Sequence, residues 1–169
     1  MRIFLIGFMG SGKTTVGQKL ARRLGYSFID MDMQIEKESS MSINQIFKEL
    51  GEDGFRRREH DLLLRIIRMD NVVVSTGGGV PCFDNNMELI NQNGMSIYLK
   101  MTPESLVKRL VHSQSKRPLI RELSSAELPG FVKTKLQERE SYYLKSKIIY
   151  DGLDVQIEEI VRMITREPL

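Results

Sequence analysis

The fold is decided by one stretch of the sequence, GFMGSGKT at residues 7–14, which matches the phosphate-binding pattern G-x-x-x-x-G-K-[ST] at every fixed position. Its glycines let the backbone turn N–H groups inward, so that they form an anion-binding nest at the start of a helix. A strand-like apolar run, residues 3–6, precedes it, and an amphipathic segment, residues 14–24, follows it. This setting favours a nucleotide phosphate site over a glycine-rich turn that carries a lysine by chance.

The side chains of this loop indicate ATP chemistry. Lys13 is expected to reach the β- and γ-phosphates and to act catalytically, and the Thr14 hydroxyl is expected to ligate Mg²⁺. We therefore predict ATP as co-substrate and Mg²⁺ as cofactor. The predicted ATP-binding residues in and beside the loop are Gly10, Ser11, Gly12, Lys13, Thr14 and Thr15.

Apolar, strand-like runs alternate with amphipathic helical segments along the rest of the chain, and this alternation is typical of an α/β fold with a parallel sheet. Ser42 and Gln45 fit a helix-capping box, and Gly51 stands where that helix should end. The predicted strands are 3–6, 27–29, 72–75, 96–99 and 147–150, and the predicted helices are 14–24, 33–38, 43–50, 55–68, 84–93, 103–111, 131–143 and 155–164.

The composition indicates a single domain, residues 1–169, because 169 residues with 41% hydrophobic content can bury one core. The polar segment at about 112–130, which contains Pro118 and Pro129, is predicted to be a mobile lid. The single Cys82 cannot form an internal disulfide, which favours a cytoplasmic location. The net charge of +3 comes from interleaved signs, so we expect no nucleic-acid partner, and no apolar run is long enough to span a bilayer, so we expect no membrane partner. We also expect a monomer.

Two carboxylates, Asp30 and Asp32, follow the second predicted strand. Ligands of open parallel sheets bind beyond the carboxyl ends of the strands, and the pair would lie beside the phosphate loop if the second strand neighbours the first. One carboxylate could then hold Mg²⁺ through water, and the other could accept a proton from an attacking hydroxyl. The alternative is that one of them only caps the next helix.

A phosphate loop of the form Gly-x-Met-Gly-Ser-Gly-Lys-Thr-Thr, followed by Asp-x-Asp, resembles the shikimate kinases, P-loop enzymes related to the nucleoside monophosphate kinases. The resemblance implies a three-layer α/β/α sandwich around a five-stranded parallel sheet. It also implies phosphorylation of the 3-hydroxyl of shikimate by ATP, a step of chorismate and aromatic amino-acid biosynthesis. By the same resemblance, Asp30 helps to hold Mg²⁺ through water, and Asp32 binds the acceptor and is the general base.

Later motifs occur in the order found in that family. The resemblance implies that Arg56, in the block Phe55-Arg56 with Glu59, grips the acceptor carboxylate with a planar guanidinium. The alternative for Arg56 is a solvated basic helix face. The glycines of residues 77–79 allow a very close approach of backbone to ligand, and the resemblance places the N–H of Gly78 against the acceptor.

Three further arginines complete the predicted site. Arg117 lies in Arg-Pro-Leu within the predicted lid, and the resemblance implies that it binds ATP and acts catalytically by closing over the phosphates. Arg139, four residues before Tyr143, is implied to be the second grip on the acceptor carboxylate. Arg109 is a candidate to stack on adenine, with a solvated helix face as the alternative.

Two other functions fit parts of this pattern. One is a P-loop kinase for another small metabolite, such as gluconate or a nucleoside monophosphate, although the triple glycine with the acidic pair favours a polyol that bears a carboxylate. The other is a nucleotide-dependent switch or nucleic-acid-binding ATPase. That protein would hydrolyse ATP without an acceptor and would bind DNA or RNA with a steep dependence on salt.

Overall fold

The structure is a computed structural model that describes residues 1–112, 120 and 123–166, and this part of the chain forms five strands and seven α-helices. The strands are β1 (Arg2–Ile6), β2 (Ser27–Asp30), β3 (Val72–Ser75), β4 (Met95–Lys100) and β5 (Ile148–Asp151). The helices are α1 (Lys13–Leu24), α2 (Met31–Ser39), α3 (Ile43–Ile66), α4 (Asn86–Asn93), α5 (Pro103–Val111), α6 (Leu128–Tyr143) and α7 (Ile157–Arg166), and a 3₁₀ turn, Val80–Cys82, follows β3.

All strand pairs in the sheet are parallel, and their order is β2-β3-β1-β4-β5. The central strand β1 therefore has β3 on one side and β4 on the other, with Ile3 opposite Val73 and Met95. Because parallel strands end at one edge of the sheet, the loops after β1, β2 and β3 meet there. The predicted five-stranded parallel sheet is confirmed.

Alternate side chains of the strands enter two separate cores, one on each face of the sheet. Phe4 and Ile6 pack with side chains from α2, α3, α5 and α6, whereas Ile3 and Leu5 pack with side chains from α1 and α7. Each fully buried aliphatic side chain of this kind contributes about 1.5–3 kcal/mol relative to exposure. The three-layer α/β/α sandwich is confirmed.

The range of α3 contains two helical stretches that meet at a kink, as the two predicted helices 43–50 and 55–68 required. The kink lies at Gly51, where φ is 68° and ψ is −178° and the backbone is not helical. A positive φ strains residues that carry a Cβ, so a glycine suits the bend. The rings of Phe47 and Phe55 pack across it, with their centroids 4.7 Å apart. The predicted capping box is present, because Ser42 and Gln45 each bond the other's backbone N–H.

Several predicted boundaries move by one to three residues. Asp30 is the last residue of β2 and Asp32 lies in the first turn of α2, so neither residue is in a loop. Helix α6 begins at Leu128, because Pro129 stands in its first turn, where a proline starts a helix instead of breaking it. Residues 128–130 of the predicted lid are therefore helical, and residues 113–119, 121 and 122 lie outside the described residues. Among the helices described, none is both long and apolar enough to cross a membrane.

Candidate functional site

The phosphate loop connects β1 to α1 and opens at the carboxyl edge of the sheet. Gly10 and Gly12 both have positive φ, 83° and 93°, which lets the loop fold back on itself above the first turn of α1. Gly12 is the N-cap of α1 and has no side chain with which to cap the helix. The positive end of the α1 dipole therefore faces the space where a phosphate would lie.

Lys13 lies inside this loop. Its side chain is only 8% exposed, and its Nζ donates hydrogen bonds to the carbonyl oxygens of Gly7 at 2.7 Å and Phe8 at 2.9 Å. The ammonium group is thus held at the centre of the loop by the loop's own backbone. A charge fixed in this way needs little reorganisation to stabilise a transferring phosphoryl group.

Thr14 and Asp30 meet directly beside the loop. The Thr14 Oγ1 donates a hydrogen bond to Asp30 Oδ2 at 2.7 Å, and Asp30 Oδ1 accepts a longer one, 3.3 Å, from the backbone N–H of Met33. Asp30 is therefore the N-cap of α2, as the alternative interpretation expected, and also the neighbour of the Thr14 hydroxyl. One oxygen serves each contact, so the capping role does not exclude a second role.

The predicted reason for finding Asp30 beside the loop, adjacency of the first two strands, is wrong. Strand β2 does not neighbour β1, because β3 lies between them. Helix α1 closes the gap by packing across the sheet, and Gly17 allows this because a Cβ there would collide with the Phe28 ring of β2. The first turn of α1 thereby brings Thr14 to the end of β2.

Asp32 is an exposed residue that lines the cavity next to the loop, and its Oδ1 lies close to Gly77. Loss of water around the carboxyl, together with the charge of Asp30, raises the pKa of Asp32, while Lys13 and Arg56 act in the opposite direction. A carboxylate with a raised pKa holds a proton more strongly than an ordinary aspartate. This direction of shift suits a group that accepts a proton from a hydroxyl.

Arg56 is buried and not part of a solvated helix face. Its Nη1 donates to Glu59 Oε2 at 2.6 Å, and its Nη2 donates to Glu52 Oε1 at 3.2 Å. The two partners differ, because the Glu59 side chain is 1% exposed and the Glu52 side chain is 68% exposed. Burial raises the pKa of Glu59 to about 7, against the effect of the Arg56 cation.

The three glycines after β3 each make room for a different charged side chain. A Cβ at Gly77 would lie 2.5 Å from Glu59 Oε1 and 2.8 Å from Asp32 Oδ1, and a Cβ at Gly79 would collide with the Arg56 guanidinium. A Cβ at Gly78 would lie 3.3 Å from Arg139 Nη1. The run of glycines is therefore needed because charged groups crowd against the same backbone from several sides.

Arg139 reaches the site from α6. Its guanidinium lies over the Phe8 ring, 5.9 Å from the centroid, and next to Gly78. Four residues later, the hydroxyl of the fully buried Tyr143 donates a 2.6 Å hydrogen bond to the carbonyl oxygen of Gly78. The α6 helix thus contacts the triple glycine at two points, one turn apart.

The other predicted arginines have different outcomes. Arg109 donates to the carbonyl oxygens of Ser11 and Gly152, both at 3.2 Å, and so bridges the phosphate loop and the segment after β5. Arg117 lies outside the described residues.

One cavity of about 370 Å³ is lined by the phosphate loop together with the acidic pair, Gly78 and Arg109. Arg56 and Arg139 are not part of its lining and lie behind the glycines. A larger groove of about 620 Å³ lies between α6 and β5, and the predicted site residues do not line it. The members of the smaller cavity's lining are Met9, Gly10, Gly12, Lys13, Thr14, Thr15, Asp30, Asp32, Ser75, Thr76, Gly78 and Arg109.

Two residues of the site received no role from the sequence, although both stood inside quoted motifs. Glu59 is three residues after Arg56, and Tyr143 is four residues after Arg139. Residues three and four apart share one face of a helix. The spacing in the sequence therefore indicates that Glu59 and Tyr143 each lie beside the preceding arginine.

The chain is similar to known proteins over nearly its whole length. The family model described as "Shikimate kinase" matches residues 9–167. A shikimate kinase of Parabacteroides distasonis is 42% identical over 97% of this chain and 95% of its own. A crystal structure of shikimate kinase from Bacteroides thetaiotaomicron aligns with a TM-score of 0.90 at 38% identity, over 98% of this chain and 96% of that one. A shikimate kinase of Acinetobacter baumannii in complex with shikimate aligns with a TM-score of 0.86 at 31% identity, over 98% and 90% of the two chains.

Proposed function

We propose that this chain, which belongs to the shikimate kinase family, transfers the γ-phosphoryl group of ATP to the 3-hydroxyl of shikimate. The product is shikimate 3-phosphate, an intermediate of chorismate and aromatic amino-acid biosynthesis. One observation supports the assignment most strongly. Lys13 of the phosphate loop, Asp32 and Gly78 all line a single cavity, so a phosphate donor and a hydroxyl acceptor can meet there.

On the donor side, the loop N–H groups and the Lys13 ammonium bind the β- and γ-phosphates. Mg²⁺ fits beside them, because the Thr14 hydroxyl and an Asp30 carboxylate oxygen lie 2.7 Å apart and are the hard oxygen ligands that this ion prefers. In the described part of the chain, His, Cys, Asp and Glu form no group of three that could hold a metal. Thr14 would bind the ion directly and Asp30 through water, and the ion would neutralise phosphate charge.

On the acceptor side, Asp32 orients the 3-hydroxyl and accepts its proton. Burial and Asp30 raise the pKa of Asp32 against the effect of Lys13 and Arg56, which makes its carboxylate a stronger base than that of an ordinary aspartate. Arg56, Arg139 and the Gly78 N–H hold the acceptor carboxylate. The acceptor can replace the exposed Glu52 on Arg56 Nη2, while the buried Glu59 keeps its hold on Nη1.

Several expectations stay predictions. Arg117 is assigned to the transferring phosphoryl group and Arg109 to the nucleotide. A single domain with a lid at about 112–130, a monomeric state, a cytoplasmic location and a lack of nucleic-acid or membrane partners are assigned from sequence. Each follows from the sequence arguments given above.

An acceptor panel tests the proposed function. ADP release is measured with shikimate, gluconate, a nucleoside monophosphate or no acceptor, and the product is identified by mass spectrometry. We expect release to depend on shikimate and to vanish in Lys13→Met, which keeps much of the side-chain volume. Preference for another acceptor, or acceptor-free hydrolysis stimulated by nucleic acid, would contradict the assignment.

A further inference from the structure

A run of three glycines is flexible, whereas a binding site needs a backbone held in one conformation. Glycine has more backbone freedom than any other residue, so residues 77–79 would sample many conformations unless other groups held them. Gly78 is the one of the three that is partly exposed, and it faces the cavity. A binding N–H at this position needs a restraint that its own side chain cannot give.

Two hydrogen bonds supply the restraint on either side of Gly78. The Gly77 carbonyl oxygen accepts from the Val80 N–H at 3.1 Å, which closes a local turn. The Gly78 carbonyl oxygen accepts from the Tyr143 hydroxyl at 2.6 Å, across 65 residues of sequence. The second bond is the tertiary one, and it fixes the peptide plane on the far side of Gly78.

Tyr143 is itself rigid. Its side chain is fully buried, and its ring packs against Tyr98 with the centroids 5.2 Å apart. Burial raises the pKa of Tyr143, so its hydroxyl stays protonated and remains a donor. Arg139 stands one turn earlier on the same helix and touches the same glycine. The positions of the Gly78 backbone and the Arg139 guanidinium are therefore tied together by one helix.

We propose that Tyr143 is a positioning residue for the acceptor carboxylate, because its hydroxyl locks Gly78 in register with Arg139. This inference rests on the proposed function and assigns a role that acts through Gly78 and through Arg139, to which the Tyr143 hydroxyl is also hydrogen-bonded, and not on the reacting atoms. Tyr143 thus governs how tightly the acceptor binds and leaves nucleotide binding to the phosphate loop.

The test compares Tyr143→Phe with Tyr98→Phe. Both variants remove one hydroxyl from the same buried ring pair, but the Tyr98 hydroxyl bonds Glu140 at 3.4 Å and not the glycines. We expect Tyr143→Phe to raise the KM for shikimate about 3- to 30-fold, the effect of leaving a carbonyl without its donor, with the KM for ATP unchanged. Tyr98→Phe should leave both constants unchanged.

Two further readouts separate positioning from general structure. The penalty of Tyr143→Phe should shrink with shikimate methyl ester, whose carboxylate is blocked, and amide exchange at residues 77–79 should be faster than in Tyr98→Phe. Equal effects of both variants, equal effects on the shikimate and ATP constants, or an unchanged shikimate KM would each overturn the inference. Failure of the unmodified chain to phosphorylate shikimate would instead overturn the proposed function.

Discussion

The proposed donor and acceptor halves of the site are built in different ways. The phosphate loop is local, since Lys13 is held by backbone oxygens five and six residues away. The acceptor half brings together Asp32 from α2, Arg56 from α3, the glycines after β3 and Arg139 from α6. Its charged groups bond one another, as Arg56 bonds Glu59, and they crowd against the glycine backbone.

This difference predicts two kinds of mutational response. A residue of the local loop acts with phosphates and metal, so its loss should appear in ATP and Mg²⁺ dependence. A residue of the acceptor half contacts the acceptor or holds a neighbouring residue that contacts it. Its replacement should therefore change the affinity for shikimate or the rate of the chemical step. The carboxylates Asp30 and Asp32 stand at the boundary, and they offer the sharpest test.

Asp32→Asn should have the largest effect. Asparagine keeps the shape but cannot accept a proton, so we expect kcat to fall by about two to four orders of magnitude with little change in ATP affinity. Asp30→Asn is the matched control, because it removes the same charge two residues away. It should raise the Mg²⁺ concentration needed for half-maximal activity, since its partner is the Thr14 hydroxyl.

Steady-state kinetics over a Mg²⁺ series distinguishes the two variants. A pure metal defect in Asp32→Asn, or a pure rate defect in Asp30→Asn, would show that the two roles are reversed. Equal defects in both variants would show that Asp30 and Asp32 do not divide between the donor half and the acceptor half.

Arg56→Lys should have an intermediate effect, confined to the acceptor half. Lysine keeps the charge but loses the planar fork that bonds Glu59 and a carboxylate together, so shikimate binding should weaken by about 1–3 kcal/mol. Calorimetric titration with shikimate and with ATP measures both affinities. Arg57→Lys, on the exposed face of the same helix, is the control and should change neither. An unchanged shikimate affinity in Arg56→Lys would place the carboxylate grip elsewhere.

Glu59→Gln should have the smallest effect. We expect it in the pH dependence of the free energy of unfolding. The pKa of Glu59 rises from 4.5 to about 7 on folding, so between these values the folded protein binds more protons than the unfolded chain. The free energy of unfolding should therefore fall as pH rises from about 4.5 to about 7, by at least about 1 kcal/mol from this group.

Denaturant unfolding across this pH range measures the effect. The Glu59→Gln curve should be flatter in the window, because glutamine does not titrate. Glu52→Gln removes the exposed partner of the same arginine and should keep the slope of the unmodified chain. A slope that persists in Glu59→Gln would assign the titration to another group.

The sequence predicted the donor half well because its contacts are short-range. The pattern of residues 7–14 specifies strand, loop and helix in one continuous segment, and the structure has all three. The strand order could not be predicted, because pairing between distant strands leaves no local signal. The predicted position of the acidic pair beside the phosphate loop relied on adjacency of β1 and β2, whereas the packing of α1 on Phe28 brings Thr14 to Asp30.

The acceptor half was predicted by type of residue but not by arrangement. The motif blocks named Arg56 and Gly78, yet the reason for three successive glycines emerges only when Glu59, Asp32 and Arg139 surround them. Likewise, Tyr143 is an ordinary core aromatic in sequence, because its partner Gly78 lies 65 residues away. Sequence pattern and spacing do not predict the roles of side chains that act through contacts with distant parts of the chain.

The bend at Gly51 divides α3 into halves of unequal local stability. Before the bend only Ile46 is buried, whereas after it the buried set is Phe55, Arg56, Glu59, Leu62, Leu63 and Ile66. Segments with little buried surface open at a lower free-energy cost than the core does. The first half can therefore fray and re-form while the second half stays folded, and the ring pair of Phe47 and Phe55 is the contact that such fraying breaks. Arg56 lies in the second half, so fraying of the first half would leave the proposed contact of Arg56 with the acceptor carboxylate in place.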